Sequence, residues 1–173
     1  MKIKIIGGLL SLFLFMAVQS SFAQSSFTDD NYKFKIKLGS DWSKTKSEET
    51  NKKDAISYSF DKKDGKNAIM IIAFKVDNIK NLDDLVYTLE KDATLNIPAK
   101  SGNYTDTDKG TYEIKKAMYK DNEFVENIYF YRTKKTDQQN YAYMVRFITS
   151  AAAYNSKAEE EITKLANTFV PTE

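Results

Sequence analysis

The sequence predicts an α+β domain: an antiparallel β-sheet of about six to seven strands flanked by helices. Three observations predict it. Aromatic or aliphatic residues alternate strictly with lysine over 32–38, a hairpin is signalled at Asp64-Gly65, and two apolar stripes recur at helical spacing.

The first strand carries Tyr32, Phe34, Ile36 and Leu38 on one side and Lys33, Lys35 and Lys37 on the other, which is one dry face and one wet one. Gly39, Ser40 and Asp41 end it, and the only tryptophan, Trp42, follows as an expected core anchor. Residues 54–76 form a hairpin, because Asp-Gly tolerates positive φ at both central positions of a tight turn. That turn sets Phe60 against Ile69, Tyr58 against Ile71 and Ile56 against Ala73, so one face is apolar throughout. The returning strand AIMIIAFKV is apolar on both faces and is expected to be central.

A helix follows in NLDDLVYTLEKDATLNIP. Asn81 caps it, Asp83 and Asp84 suit its N-terminus, and Leu82, Leu85, Val86, Leu89 and Ala93 make its stripe. The second half repeats the hairpin theme through strands in 111–149, with turns expected at Asp121-Asn122 and at Asp137-Gln138. The closing SKAEEEITKLANTF aligns Ala158, Ile162, Leu165, Ala166 and Phe169, with Ser156 as cap and Glu159, Glu160 and Glu161 beside the helix dipole.

Residues 1–23 read as a signal peptide. Lys2 and Lys4 precede the apolar run IIGGLLSLFLFMAV, and Ser21 and Ala23 supply the small residues for cleavage before Gln24. The run is shorter than the roughly 20 apolar residues of a membrane span, and no cysteine follows it to carry acyl chains. Residues 24–173 are then a single domain, exported to the periplasm or secreted, and soluble after cleavage. Contact with a membrane is expected only through an uncleaved leader.

The leader lysines account for the whole formal charge of +2, so the mature chain is neutral and lacks the basic excess of a nucleic-acid binder. The chain has no cysteine and no histidine. This removes disulfides, cysteine nucleophiles, histidine-containing triads, imidazole bases and histidine-held zinc or copper. No cofactor is expected. Chemistry based on carboxylates, lysine or tyrosine is left open.

With a two-residue turn at Asp121-Asn122 and a turn centred on Asp137-Gln138, one sheet face gathers Tyr112, Asn127, Tyr129, Tyr131, Met144 and Arg146. The other gathers Phe124, Ile128, Phe130, Val145 and Phe147. The first set is the candidate binding site: tyrosines offer flat apolar area with hydroxyls, and Arg146 offers a fork for carboxylate or phosphate. The competing structural reading stacks Arg146 on Tyr129 in a half-buried sheet, and is favoured about four to one because cross-strand tyrosines stabilise sheets generally. TDTDKG at 105–110 fails as a calcium loop: counted from Asp106 the glycine falls early and Ala117 stands where a bidentate acid belongs, so a polar turn is expected.

NYKFKIKLGSDWSK resembles the opening of PsbP-like domains, with Gly39-Ser40-Asp41 where those domains place a proline before the tryptophan. The order of IMIIAFKV, NLDDLVYTLEKD, GTYEIKKAMYK, FVENIYFYRTK, YAYMVRFITS and the final EEEITKLANTFVP follows the same plan over about 27–171. The resemblance implies an α-β-α sandwich used mainly for non-enzymatic binding or assembly. Extrinsic subunits of the oxygen-evolving complex, a nuclear-import factor that binds a small GTPase, and DcrB-like bacterial envelope proteins share that fold. The lack of histidine speaks against the metal role suggested for photosynthetic relatives.

The expectation is therefore a non-catalytic domain that binds a protein or an envelope component. A small-ligand or lipid module at the Tyr/Arg face is the first alternative, and a carboxylate-only enzyme the second.

Overall fold

The computed structural model describes residues 25–76, 81–134 and 139–172. The signal-peptide expectation and the turn at Asp137-Gln138 lie outside these residues. Ten strands and two α-helices run in the order β1 (Ser25–Asp29), β2 (Phe34–Leu38), β3 (Trp42–Glu49), β4 (Ala55–Lys62), β5 (Asn67–Val76), α1 (Leu82–Lys91), β6 (Ala99–Asp108), β7 (Tyr112–Lys120), β8 (Phe124–Thr133), β9 (Asn140–Ser150), α2 (Ser156–Ala166) and β10 (Val170–Pro171). A seven-stranded antiparallel sheet has the order β3-β4-β5-β9-β8-β7-β6, and a small sheet has the order β1-β2-β10.

The small sheet and α2 cover one face of the large sheet. The lysine alternation in β2 decides this, because Phe34, Ile36 and Leu38 are buried while Lys35 and Lys37 are exposed. The dry side meets Tyr58 and Phe60 of β4, Ile69 and Ile71 of β5, and Tyr143, Val145 and Phe147 of β9. From α2 and its exit, Ile162, Ala166 and Phe169 complete this core. Phe34 and Phe169 stack with ring centroids 5.4 Å apart.

The opposite face is covered by α1. Leu82, Leu85, Val86 and Leu89 pack on Ile72, Ala117, Ile128, Phe130, Ala142 and Met144. At about 1.5–3 kcal/mol per fully buried aliphatic side chain, that stripe decides where α1 docks. Asn81 caps it by accepting from the Asp84 N–H at 2.8 Å. Glu90 on the same helix accepts from the hydroxyls of Tyr104 and Tyr119, each at 2.6 Å. These bonds fasten the helix to β6 and β7.

The β4–β5 register is the expected one, with Phe60 opposite Ile69 and Tyr58 opposite Ile71. Two later registers differ. The β7–β8 turn lies one residue later, centred on Asn122-Glu123, with Lys120 opposite Val125 and the Asp121 N–H donating to the Phe124 carbonyl at 3.1 Å. The Asp121 carboxylate accepts from the N–H groups of Glu123 and Phe124, each at 2.8 Å, and braces that turn. An even shift leaves every side chain on its face. β8 and β9 shift by one residue, so Tyr129 faces Val145, Tyr131 faces Tyr143, and Ile128 faces Arg146. An odd shift moves a whole strand's side chains to the other face, and Arg146 and Met144 move with it.

Three smaller corrections follow. TDTDKG is not a turn from its start, because Thr105–Asp108 belong to β6. Asn155, not Ser156, caps α2 by accepting from the Ala158 N–H at 3.0 Å. Of the three acids of α2, only Glu159 lies in the first turn; Glu160 pairs with Lys164 at 2.7 Å, and Glu161 approaches Lys62. Both edges of the large sheet are polar and irregular, with register shifts at Lys44/Lys46 in β3 and Ser101/Thr105 in β6. Charges and bulges of this kind hinder edge-to-edge pairing.

Candidate functional site

Four of the five residues singled out by sequence come together, and one does not. Tyr112, Asn127, Tyr129 and Tyr131 share the face of β7 and β8 that lies towards α2. The rings of Tyr129 and Tyr131 stack with centroids 6.4 Å apart, and Tyr112 lies 6.3 Å from Tyr131. This group is covered rather than open. Phe169 lies 4.6 Å from the Tyr131 ring, Asn127 Nδ2 donates to Tyr154 Oη at 3.2 Å, and Tyr131 and Asn127 are each 1% exposed. Burial, reinforced by the neighbouring phenols of Tyr129 and Tyr112, pushes the Tyr131 hydroxyl well above the ordinary tyrosine range. The cation over Tyr129 is Lys116, with its ammonium 5.2 Å from the ring centre, and not Arg146.

Arg146 lies on the α1 face. Its guanidinium meets Glu126 through Nε (2.7 Å) and Nη2 (2.8 Å) and donates through Nη1 to the Leu95 carbonyl at 2.7 Å. The residue does have the fork expected of it, but the fork is filled from within the chain. It pins the segment after α1, where Asn96 takes a left-handed conformation at φ 45°.

The open concavity lies elsewhere, at the turn between β2 and β3. Trp42 N–H donates to the Gly39 carbonyl at 3.1 Å, and the Asp41 carbonyl accepts from the Lys63 N–H at 2.8 Å. These bonds hold the turn against the end of β4. Across from it, the capped start of α2 sets Ala158, Ile162 and Leu165 towards the sheet, and the ends of β5 and β9 form the floor. Between them lies a cleft of about 620 Å³, within the usual range for small-ligand sites.

The cleft is apolar below and charged at its rim. Trp42, Phe147, Ile148, Ile162 and Leu165 supply the apolar lining, with Ala68, Ala153 and Ala158 leaving room. At the rim the Lys62 ammonium lies 3.8 Å from Asp41, 3.8 Å from Asp64 and 3.7 Å from Glu161, and 6.0 Å from the Trp42 ring centre. Partial burial opposes ionisation of Asp64, but the Lys66 N–H and the Asn67 side chain hold its carboxyl below the usual range. The threonines of the lining are occupied by structure: Thr149 donates to Asn67 Oδ1 at 2.8 Å and Thr168 to the Leu165 carbonyl at 2.7 Å. The result is a concave apolar surface with charged groups at its mouth.

A second depression lies over β6 and β7, lined by Asp83, Asp106, Asp108, Glu113 and Lys115 among others. Lys115 bridges Asp106 at 2.6 Å and Asp83 at 3.0 Å, so its centre is already occupied by a cation. Among the described residues, no group of three or more histidine, cysteine, aspartate or glutamate side chains is placed to hold a metal ion. No helix among them is long and apolar enough to cross a membrane.

No sequence signal marked the cleft as a site. Its walls come from three distant stretches, 39–42, 62–68 and 147–168, and only the GSDW turn stood out beforehand, as a strand terminator with a core anchor.

A scan against family models gives no match, and a search of curated proteins gives none. Among solved structures, the chain is similar to the solution structure of cyanobacterial PsbP (CyanoP) from Synechocystis sp. PCC 6803. The match has a TM-score of 0.60 and 10% sequence identity, and it covers 87% of this chain and 93% of that one. The fold is PsbP-like, and at that identity the likeness extends to the fold alone.

Proposed function

We propose that this protein is an exported, non-catalytic binding domain that holds part of a protein or another envelope component in the cleft between α2 and the Gly39–Trp42 turn. The cleft carries the reading: it is a preformed concavity of about 620 Å³ with an apolar floor, an accessible indole and a charged rim. The leader at 1–23 supports export. The absence of histidine and cysteine, and the structural use of the lining hydroxyls, support binding without turnover. The resemblance to DcrB-like envelope proteins agrees with a periplasmic address.

The test is native mass spectrometry of the mature protein recovered from the exported fraction of its own host, read together with Trp42 fluorescence. A bound species that leaves on mild activation, with a change in Trp42 emission, is the expected result. An empty protein with unchanged emission defeats the cleft reading. Hydrolase or transferase turnover that one carboxylate substitution abolishes defeats the non-catalytic one. N-terminal sequencing that begins at Gln24 tests the export step.

A small ligand at the tyrosine face retains one observation in its favour: the Tyr129 hydroxyl is buried without a hydrogen-bond partner.

A further inference from the structure

We infer that, before the leader is cleaved, this chain's own leader fills the cleft, with the Phe22 ring inserted beside Trp42, and that removal of residues 1–23 opens it. This rests on the reading of the cleft as the binding site and adds how that site is regulated. Strand register carries the argument. Ser25, the first residue of β1, pairs with Leu38, and Leu38 directly precedes Gly39, where the cleft wall begins. The two strands are antiparallel, so β1 starts at the cleft end of the small sheet and runs away from it. The segment that leads into Ser25 is therefore tethered at the cleft mouth. Phe22 precedes Ser25 by only three residues, which holds it within about 11 Å of that anchor.

The lining suits an occupant of that kind. Its charges balance, Asp41 and Glu161 against Lys62 and Lys164, so they select neither sign. Its threonine hydroxyls are committed to Asn67 and Leu165, and Trp42, Phe147, Ile162 and Leu165 present apolar surface. An uncharged, largely apolar segment complements such walls. The sequence carries no charged residue from Ile5 to Gln24, and Phe22 is the aromatic of that stretch nearest to Ser25. Tethering supplies the rest. A short linker gives an effective concentration in the mM range, so a contact too weak to hold a free peptide is held within one chain. Cleavage between Ala23 and Gln24 severs that tether and leaves the cleft free for its ligand. The site is thus closed in the precursor and open in the exported form.

Trp42 is the only tryptophan, so its emission reports on the cleft alone. The full chain is synthesised without membranes, diluted until light scattering shows single molecules, and compared with the chain 24–173 by acrylamide quenching of Trp42. Thermal melts confirm that both chains fold. Quenching about threefold stronger in 24–173 than in the full chain is the expected result, because only the full chain holds the leader at high effective concentration. In the full chain, Phe22→Ala should restore strong quenching, and Phe22→Leu should keep Trp42 shielded. Equal quenching in the full chain and in 24–173 overturns the inference and leaves the cleft itself to the host-derived ligand test above. Shielding that persists in Phe22→Ala overturns it too, because another group then covers Trp42. Shielding that rises with protein concentration assigns the occupant to the leader of a second copy and overturns it as well.

Discussion

Arg146 and Glu126 form a two-pronged ion pair on the α1 face, at 2.7 and 2.8 Å, with side chains only 6% and 5% exposed. Such a pair adds little over a well-packed apolar pair, but removing one partner strands a buried charge. Arg146→Met is expected to cost roughly 3–5 kcal/mol in urea unfolding. Adding Glu126→Leu should recover most of that loss. If the double variant is as unstable as the single one, the cost lies in the lost bond to the Leu95 carbonyl instead.

Tyr129→Phe should be neutral or stabilise by up to about 1 kcal/mol, because its buried hydroxyl has no partner to lose. Tyr119→Phe is the contrast: it removes a 2.6 Å bond to Glu90 and should destabilise by about 1 kcal/mol. A clear loss of stability in Tyr129→Phe would mean that this hydroxyl is bonded in solution, as the small-ligand reading of the tyrosine face requires.

Alkaline stability follows from four phenols that donate to carboxylates. Tyr104 and Tyr119 bond to Glu90, Tyr32 to Glu49 and Tyr58 to Asp29. Burial first, and then the carboxylate beside each, raises all four, Tyr104 to about 12 and the others further. In the unfolded chain a tyrosine ionises near pH ~10. Their contribution is therefore complete below that pH and is lost as the pH rises through the folded values. Stability should fall steeply above about pH 10, with tyrosinate absorbance appearing together with unfolding. Tyr119→Phe should make that fall shallower.

Gly39→Ala should leave the fold intact and disturb the cleft. A Cβ there would stand 2.5 Å from Asp41 Oδ1, the free end of a side chain that can swing away. Urea midpoints should move by less than about 0.5 kcal/mol, while the Trp42 emission spectrum shifts as Asp41 leaves its place. An unchanged spectrum with a large stability loss would show that the contact braces the turn instead.

What could be read from the sequence tracks where water meets the chain. β2, the β4–β5 hairpin and both helices present one apolar and one polar side, and each was placed within a few residues. β3 and β6 are edge strands whose residues, from Ser43 to Glu49 and over most of Ala99–Asp108, are exposed, so no periodicity betrays them. The tyrosine face was legible because Tyr112, Tyr129 and Tyr131 follow the two-residue period within single strands. The position of Arg146 depended on the connection between β8 and β9, where one residue of loop length reverses the answer. No local pattern can assemble the cleft, whose charged rim unites Asp41, Lys62 and Glu161 from three separate segments.

β2 sits between β1 and β10, with Val170 opposite Lys35 and the Thr172 N–H donating to the Lys33 carbonyl at 2.7 Å. The third layer over the aromatic core is thus fastened by residues at opposite ends of the described chain. A ribosome delivers those segments at different times. Until residues 169–172 are in place, β2 lacks its β10 neighbour and Phe34 lacks the ring of Phe169, so the third layer cannot close on local sequence alone.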